Sequence, residues 1–577
     1  TAPVMASAVT LDKTELNLYT GDTAALTAAI QPEDTTDPTI AWTTTDAEVA
    51  SVQNGVVTAG KTGTATITAS CGEAKAQCAV TVKAPAEPAQ KDGVYQIGNA
   101  DELVWFVRKV NGGENAISAV LAKDIDLTDV VWAPIGNGSV AFAGSLDGAN
   151  HTISNLHVDY ATAASGERLY LGLFGQVEGT PEKHAVIQNL TVTGSVNAAS
   201  EFSVYTGYVA GVVGSARYAE LSKVISRVDV TADERVGSTS SVGGLAGVMI
   251  DTTVTNCGNE GDVTGVNNLG GLCYELYSGT MTGCYNTGRI TATGTYVGGL
   301  MGYAKQATVT NVYNTGDVST EKTLVGGLIG VMEKSALTNV YTTGKVTTAA
   351  ASGAIGAAVG SADQVSNVYY LGSASAIGDE NATAKTAEEL KALAPMLGSS
   401  FKENTGCGGY PLLVWQEARA HQYKDGVCTV CGAKDPAAPY LLDGVTDAAA
   451  EVQTGKSYQL DDLMDGKIFG VKNGTLTYKN YFYTMSSDGG ATWSGEQHFE
   501  EAMFGGVNKS LVQSKAGTYI YKFRAKNDAG YSADTWTLTL TFVDVVEANI
   551  NFYVGRDQNY STNGNKYPIL KMYKTAG

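Results

Sequence analysis

A motif centred on paired glycines recurs at a nearly fixed interval, and this period limits the fold more than any other feature of the chain. Val242-Gly-Gly-Leu-Ala-Gly247 returns as Leu269-Gly-Gly-Leu272, Val297-Gly-Gly-Leu-Met-Gly302 and Val325-Gly-Gly-Leu-Ile-Gly330, with spacings of 27, 28 and 28 residues between first glycines. A second signature follows each copy: Val254-Thr-Asn-Cys257, Met281-Thr-Gly-Cys284, Val309-Thr-Asn-Val312, Leu337-Thr-Asn-Val340, and again Val365-Ser-Asn-Val368. A third closes the unit, as in Asn314-Thr-Gly-Asp-Val318 and Thr342-Thr-Gly-Lys-Val346. Weaker copies stand earlier, at Leu171-Gly-Leu-Phe-Gly175 and Val209-Ala-Gly-Val-Val-Gly214. A fixed period of this length marks a stacked repeat architecture. Each unit holds three short strands of period two, separated by Gly or Asn turns. One unit alone cannot bury both faces of its strands, but stacked copies create a continuous core. A parallel β-helix satisfies this, each strand pairing with its equivalent in the next repeat about 4.8 Å away. The glycine pairs suit corners where backbones approach closely or φ is positive.

Composition agrees. Charged residues make up 17% of the 577 residues, and 68 are glycine; ordinary domains have about 25% charged residues and about 7% glycine. Long apolar runs at helical spacing are scarce, which excludes a mainly helical protein. With 12 prolines and no Gly-X-Y period, collagen is excluded too. The net charge of −20 argues against nucleic acid as a partner. No stretch approaches the ~20 apolar residues that cross a bilayer as a helix. The chain starts at Thr1 without a signal peptide, which reads as a mature or excised fragment.

Six segments are expected: a β-sandwich (1–83), a stiff linker (84–92), the repeat region (93–380), a C-terminal cap with a Cys/His knuckle (381–436), a second β-sandwich (437–545) and the start of a further module (546–577). An amphipathic helix over 100–110, opened by Asn99 with Glu102, is predicted to cap the repeats at their N-terminal end. At the other end Thr386 with Glu389 opens a short helix through Leu393. In the second sandwich, strands are predicted at Tyr478–Met485, Gly517–Lys526 and Ala533–Val543.

Residues 1–83 resemble the group-2 bacterial Ig-like domain. The matching pieces are Val9-Thr-Leu11, Leu16-Asn-Leu18 with Gly21, Trp42-Thr-Thr-Thr-Asp46, Val49-Ala-Ser-Val52, Gly55-Val-Val57 and Gly63-Thr-Ala-Thr-Ile67. The glycine-pair repeats resemble GLUG motifs, and Phe142-Ala-Gly-Ser-Leu-Asp-Gly148 through Leu156 resembles the segment that often precedes them. Gly517-Thr-Tyr519 resembles the tyrosine-bearing strand of Ig-like and fibronectin-like sandwiches. These resemblances imply an all-β chain, a right-handed parallel β-helix flanked by two Ig-like β-sandwiches. The source they imply is a cell-surface or secreted protein of the gut Firmicutes type, and some immunoglobulin A peptidases share such repeats.

Chemistry is sparse. Cys407, His421, Cys428 and Cys431 form a candidate metal site, because a Cys-x-x-Cys-Gly turn offers two thiolates from one knuckle. Residues 421–432 resemble a short zinc-knuckle-like motif. Structural zinc on a closed Cys₃His set and a disulfide staple are both open. Cys71 and Cys78 flank a hairpin and form a disulfide candidate, with two free thiols the alternative. Cys257, Cys273 and Cys284 occupy positions that are apolar in other repeats, so they are expected to be core thiols. Ser486-Ser-Asp-Gly-Gly-Ala-Thr-Trp493 fits the Asp-box pattern of sialidase blades, but a propeller needs several copies, so a structural hairpin is expected. Tyr285, Tyr313 and Tyr341 hold equivalent positions and would form a ladder of aromatic rings, either exposed for ligand contact or packed against neighbouring repeats.

The five histidines include no His-Glu-x-x-His, and no Gly-x-Ser-x-Gly elbow stands between a strand and a helix. The expected function is therefore non-catalytic: an adhesin or stalk, monomeric and extracellular, with a host glycoprotein, glycan or immunoglobulin as partner. The alternatives are an accessory region of a large secreted hydrolase or peptidase, and a carbohydrate-active β-helix enzyme. No cofactor beyond structural zinc is expected.

Overall fold

The computed structural model describes residues 3–160, 168–199, 206–237, 240–349, 355–356, 359, 364–373, 380–464, 466–472, 475–498 and 510–544. The further module expected at 546–577 lies outside the described residues. Strands dominate, and the chain forms two compact units, Thr1–Arg419 and Ala420–Gly577.

The first unit begins with a small two-sheet domain. Glu15–Tyr19, Ala74–Lys83, Gly63–Cys71 and Ala41–Thr44 make one sheet, and Thr23–Ala25, Val56–Ala59 and Ala50–Gln53 make another. Alternation along Gly63–Cys71 turns Ala65, Ile67, Ala69 and Cys71 inward, where the first two meet Leu18, Val57 and Val80 in the core. Trp42 packs half-buried against this core, and the Asn54-Gly55 turn takes φ of 50° and 82°, as a tight hairpin requires. The expected linker is tied down: Ala89–Lys91 pairs antiparallel with Val94–Ile97.

The helix spans Ala100–Asn111 and buries Leu103, Phe106, Val107 and Val110. Asn99 accepts the Glu102 N–H at 3.0 Å, while the Glu102 carboxylate accepts from Gly98 at 2.6 Å. The Phe106 ring begins an aromatic file into the interior, 6.1 Å from Phe142, which is 5.4 Å from Phe174. On its other side the helix holds the two-sheet domain. Tyr19 donates to Asp101 at 2.7 Å, and Arg108 donates to the Thr20 carbonyl at 2.6 Å and to Asp22 at 2.8 Å.

From there the described residues cycle through three sheets of 20, 7 and 6 strands, parallel except for the antiparallel Ala89–Lys91 strand at one edge. The sequence signatures lie on one another residue for residue. Val242 pairs with Leu269, Leu269 with Val297, and Val297 with Val325. Val254, Met281, Val309, Leu337 and Val365 form a second file. Leu245, Leu272, Leu300 and Leu328 are fully buried inside it all, so the repeats share one core.

Each signature has its own physical cause. The Asn of the second signature sits at a corner in the left-handed region: φ is 56° at Asn256, 55° at Asn311 and 56° at Asn339, and Gly283 takes 65° in its place. Asn tolerates that conformation better than branched residues do. The glycine pairs answer a different need, since their φ is not positive. A Cβ on Gly243, Gly270 or Gly298 would lie 2.0, 1.9 or 2.0 Å from a carbonyl oxygen of Ala246, Cys273 or Met301. Close approach alone demands glycine there. The third signature hides a buried amide ladder. Asn259 donates to Asn286 and Asn286 to Asn314, each at 2.8 Å, and each amide also donates to the carbonyl of the glycine two residues on. Every amide nitrogen of the file is thereby paired, while the Asn259 oxygen at its end accepts no hydrogen bond.

After Thr383–Lys385 extends the large sheet beside Tyr369–Leu371, a helix at Ala387–Lys391 opens with a complete capping box on Thr386 and Glu389. A second helix, Ala394–Leu397, and the paired strands Phe401–Lys402 and Leu412–Leu413 follow. This segment packs Leu390, Leu393, Leu397, Phe401 and Leu413 against Tyr285, Tyr313, Tyr341 and Tyr369. It therefore lies along a row of side chains from several repeats as well as following the last strand.

In the second unit, Ala448–Gln453, Trp536–Val543, Gly517–Asn527, Tyr481–Ser486 and Gln497–His498 form the main sheet. Its inward face supplies Tyr521, Phe523, Leu538, Leu540 and Phe542 to the core around Tyr481. The first predicted strand begins later than expected, because Tyr478–Asn480 forms a 3₁₀ turn.

Candidate metal centre and the other sequence-selected residues

The knuckle is built on a tight hairpin. Tyr423–Lys424 pairs with Val427–Cys428 across Asp425-Gly426, whose φ values of 51° and 77° suit an Asp-Gly turn. Beyond Cys428 the chain turns back through Gly432 at φ 71°, with the Gly432 N–H donating to the Cys428 carbonyl at 2.9 Å. This brings Cys431 Sγ within 3.4 Å of His421 Nδ1, and the imidazole stacks on Tyr423 at 5.1 Å. The ligand atoms of His421, Cys428 and Cys431 all lie within 4.8 Å of one another. Ligands about 2.0–2.3 Å from a tetrahedral zinc are separated by comparable distances.

Electrostatics favour the thiolate of Cys428. Desolvation pushes the Cys428 thiol up. The N–H groups of Cys431, Val430 and Gln422, together with the His421 imidazole, outweigh it and bring the thiol down to about 5. His421 is raised, first by its bond to Cys428, against desolvation. Cys407 belongs to the first unit, where its N–H donates to the Arg419 carbonyl at 2.8 Å. Within the second unit, His421, Cys428 and Cys431 are a Cys/His set that could bind a metal ion. None of the eight cysteines, all of them among the described residues, is joined in a disulfide.

The Cys71–Cys78 disulfide is corrected. On the hairpin Cys71 faces Ala74 and Cys78 faces Ile67. The two cysteines are thus four positions out of register, about 13 Å along the strand, and a disulfide tolerates a Cα separation of only about 7 Å. Flanking a turn does not make two residues cross-strand partners.

Cys257, Cys273 and Cys284 are fully buried, and burial raises the thiols of Cys273 and Cys284. The Asp-box hairpin is held from within: Asp488 accepts from Ser486 Oγ at 2.7 Å and from the Thr492 N–H at 2.9 Å, and Trp493 donates to the Gly490 carbonyl at 3.0 Å.

The tyrosine ladder exists, and of its two readings the structure shows the packed one. Tyr285, Tyr313 and Tyr341 stack with ring centroids 5.5 and 5.1 Å apart, but only 5%, 3% and 0% of their surfaces remain exposed. Residues 390–415 cover them. Trp415 lies 5.9 Å from Tyr285, Phe401 lies 6.1 Å from Tyr341, and Tyr341 donates to the Pro411 carbonyl.

At one end of the row is a constellation that sequence reading missed. Glu260 accepts from Tyr285 at 2.7 Å and Arg227 at 2.9 Å, and pairs with Arg419 at 2.7 Å, with 13% of its side chain exposed. Desolvation raises this carboxyl, but Tyr285 and the two arginines outweigh it and hold it low. The partners stand 25, 33 and 159 residues from Glu260, so no local pattern announces them.

Residues 5–82 match the bacterial Ig-like domain (group 2) family, so the chain opens with a bacterial Ig-like domain. Such a domain suggests a surface or secreted protein. Among the described residues no helix is long and apolar enough to cross a membrane. An uncharacterized protein of Clostridium acetobutylicum is 30% identical over 135 residues, which cover 22% of this chain and 13% of that protein. Halomucin of Haloquadratum walsbyi is 31% identical over 125 residues, 21% of this chain and 1% of halomucin. Among solved structures, an IgA1 protease aligns with a TM-score of 0.32 and 16% identity, over 57% of this chain and 24% of that one. The chain thus spans a small part of the length of these relatives.

Proposed function

We propose that this chain is a non-catalytic region of a bacterial surface protein that acts as an adhesin or stalk. In this reading the three parallel sheets form a right-handed parallel β-helix of GLUG-type repeats, which offers a rigid side surface. The Ig-like domain and a second Ig-like or fibronectin-like sandwich flank it. The observation that carries the reading is the register itself: signature lies on signature through successive repeats, and what faces inward is almost wholly apolar. Stacked repeats characteristically create extended binding surfaces.

The knuckle fits structural zinc. His421, Cys428 and Cys431 would hold the ion, which would act by fixing the backbone of the turn. Host glycoproteins, glycans and immunoglobulins are the partner classes, met by a monomer outside the cell.

The test is binding by the intact chain to a panel of cells, mucins, immunoglobulins and polysaccharides, run beside hydrolysis assays on the same polymers. Saturable binding without turnover is expected. Turnover with contaminating activity excluded would overturn the reading, as would failure to bind any member of the panel.

A further inference from the structure

A cleft of about 1340 Å³ opens between the bacterial Ig-like domain and the side of the first repeats. It exceeds the ~300–1,000 Å³ usual for a small-ligand site. Its walls are joined by the Tyr19–Asp101, Arg108–Asp22 and Arg108–Thr20 bonds, so the opening is built into the fold.

Three features describe what it would hold. Apolar surface is left open on both walls, with Val56 on the Ig-like side 45% exposed and Val131 opposite it 47% exposed. A tyrosine ring is held rigidly with part of its surface on the cleft. The half-buried Tyr170 ring stacks on Tyr208 at 5.1 Å and is backed by the loop at Gly138, where an added Cβ would lie 3.0 Å from the ring. Charges of both signs surround these surfaces: Lys13 and Arg168 against Glu15, Asp129 and Asp159. A strongly charged ligand would meet repulsion from one set. A ligand with many hydroxyls, each both donor and acceptor, and with C–H faces that lie on aromatic and aliphatic side chains, satisfies all three.

We propose that this cleft binds a neutral oligosaccharide. The proposal rests on the ligand-binding reading above and gives it a place and a ligand class. Val56 stands on a strand of the Ig-like domain with its side chain outward, so an arginine there would fill the cleft without entering a core.

The experiment probes the full chain on an array of neutral and acidic oligosaccharides, followed by calorimetry with the best neutral binder. Val56→Arg and Tyr170→Ala should each weaken binding about ten-fold or more, and Asp159→Asn should weaken it measurably. Val512→Arg replaces a valine that is 55% exposed in the second unit and should leave binding unchanged. Melting temperatures of all four variants identify any that fail to fold, and Asp159→Asn serves if either of the first two does. Neutral-glycan binding that survives these substitutions overturns the cleft, as does binding of acidic glycans only. Binding to cells or proteins with no glycan bound overturns the cleft and leaves the adhesin reading standing. Binding to nothing overturns both.

Discussion

Tyr313 and Tyr341 lie face to face one repeat apart, with ring centroids separated by 5.1 Å and planes tilted by 7°. Parallel pairing in register puts their Cα atoms opposite each other, so equal positions in the repeat must stack. Stacking alone would leave one edge of the row in water. The 390–415 segment removes that edge, and the row becomes a second core beside the main one.

Tyr341→Ala should therefore cost about 3–5 kcal/mol, the range for losing a large aromatic from a core. Tyr341→Phe keeps the ring and loses only the bond to the Pro411 carbonyl, so about 1 kcal/mol is expected. Urea titration of both variants checks this. Equal, negligible losses would mean that the row is not packed as described.

Glu260 makes the covering segment sensitive to acid. Its carboxyl is held below the ordinary value of about 4.3. A depressed folded value means that its stabilisation is fully present above that ordinary value. It is lost as pH falls through the folded value. Glu260→Gln should cost about 1.5–3 kcal/mol at neutral pH, the range for hydrogen bonds to a charged group. It should also flatten the acid limb of the stability curve. Limited proteolysis near Arg419 against pH reads the effect, and an unchanged acid limb would count against it.

The thiols of Cys257, Cys273 and Cys284 should resist a water-soluble disulfide reagent until the repeats unfold. All three lack access, and burial also raises the thiols of Cys273 and Cys284 away from the reactive thiolate. Mass mapping of labelled sites during a denaturant ramp checks this, and rapid labelling of any of the three in native protein would contradict the inward register.

At the knuckle, one zinc per chain is expected by plasma mass spectrometry, with Cys428 and Cys431 unoxidised. Cys428→Ser should abolish retention through dialysis. No metal, together with a mapped disulfide through Cys428 or Cys431, would make the motif a covalent staple.

In the buried amide file, Asn286→Asp puts a carboxylate where two amides meet. An unpaired buried charge is far costlier than a paired amide. A fall in midpoint larger than that of Asn286→Ala is expected in thermal unfolding. Equal midpoints would mean that the site is open to water.

The sequence by itself determined everything that repeats or is local. The spacing of 27–28 residues specified which strands would pair, and alternation specified which side chains would turn inward. Asn-Gly and Asp-Gly placed hairpins, and Cys-x-x-Cys with His421 placed three candidate ligands on one turn. Only the tertiary structure decided the rest. An outward tyrosine has the same sequence pattern whether water or Trp415 covers it. Tyr313 meets Gln416 across 103 residues and Glu260 meets Arg419 across 159, separations that no period encodes. Cys71 and Cys78 look paired until the register of their hairpin is known. Period and turn chemistry act through neighbours in the chain. What covers a side face depends on where a distant segment finds apolar surface to bury, and burial is non-directional.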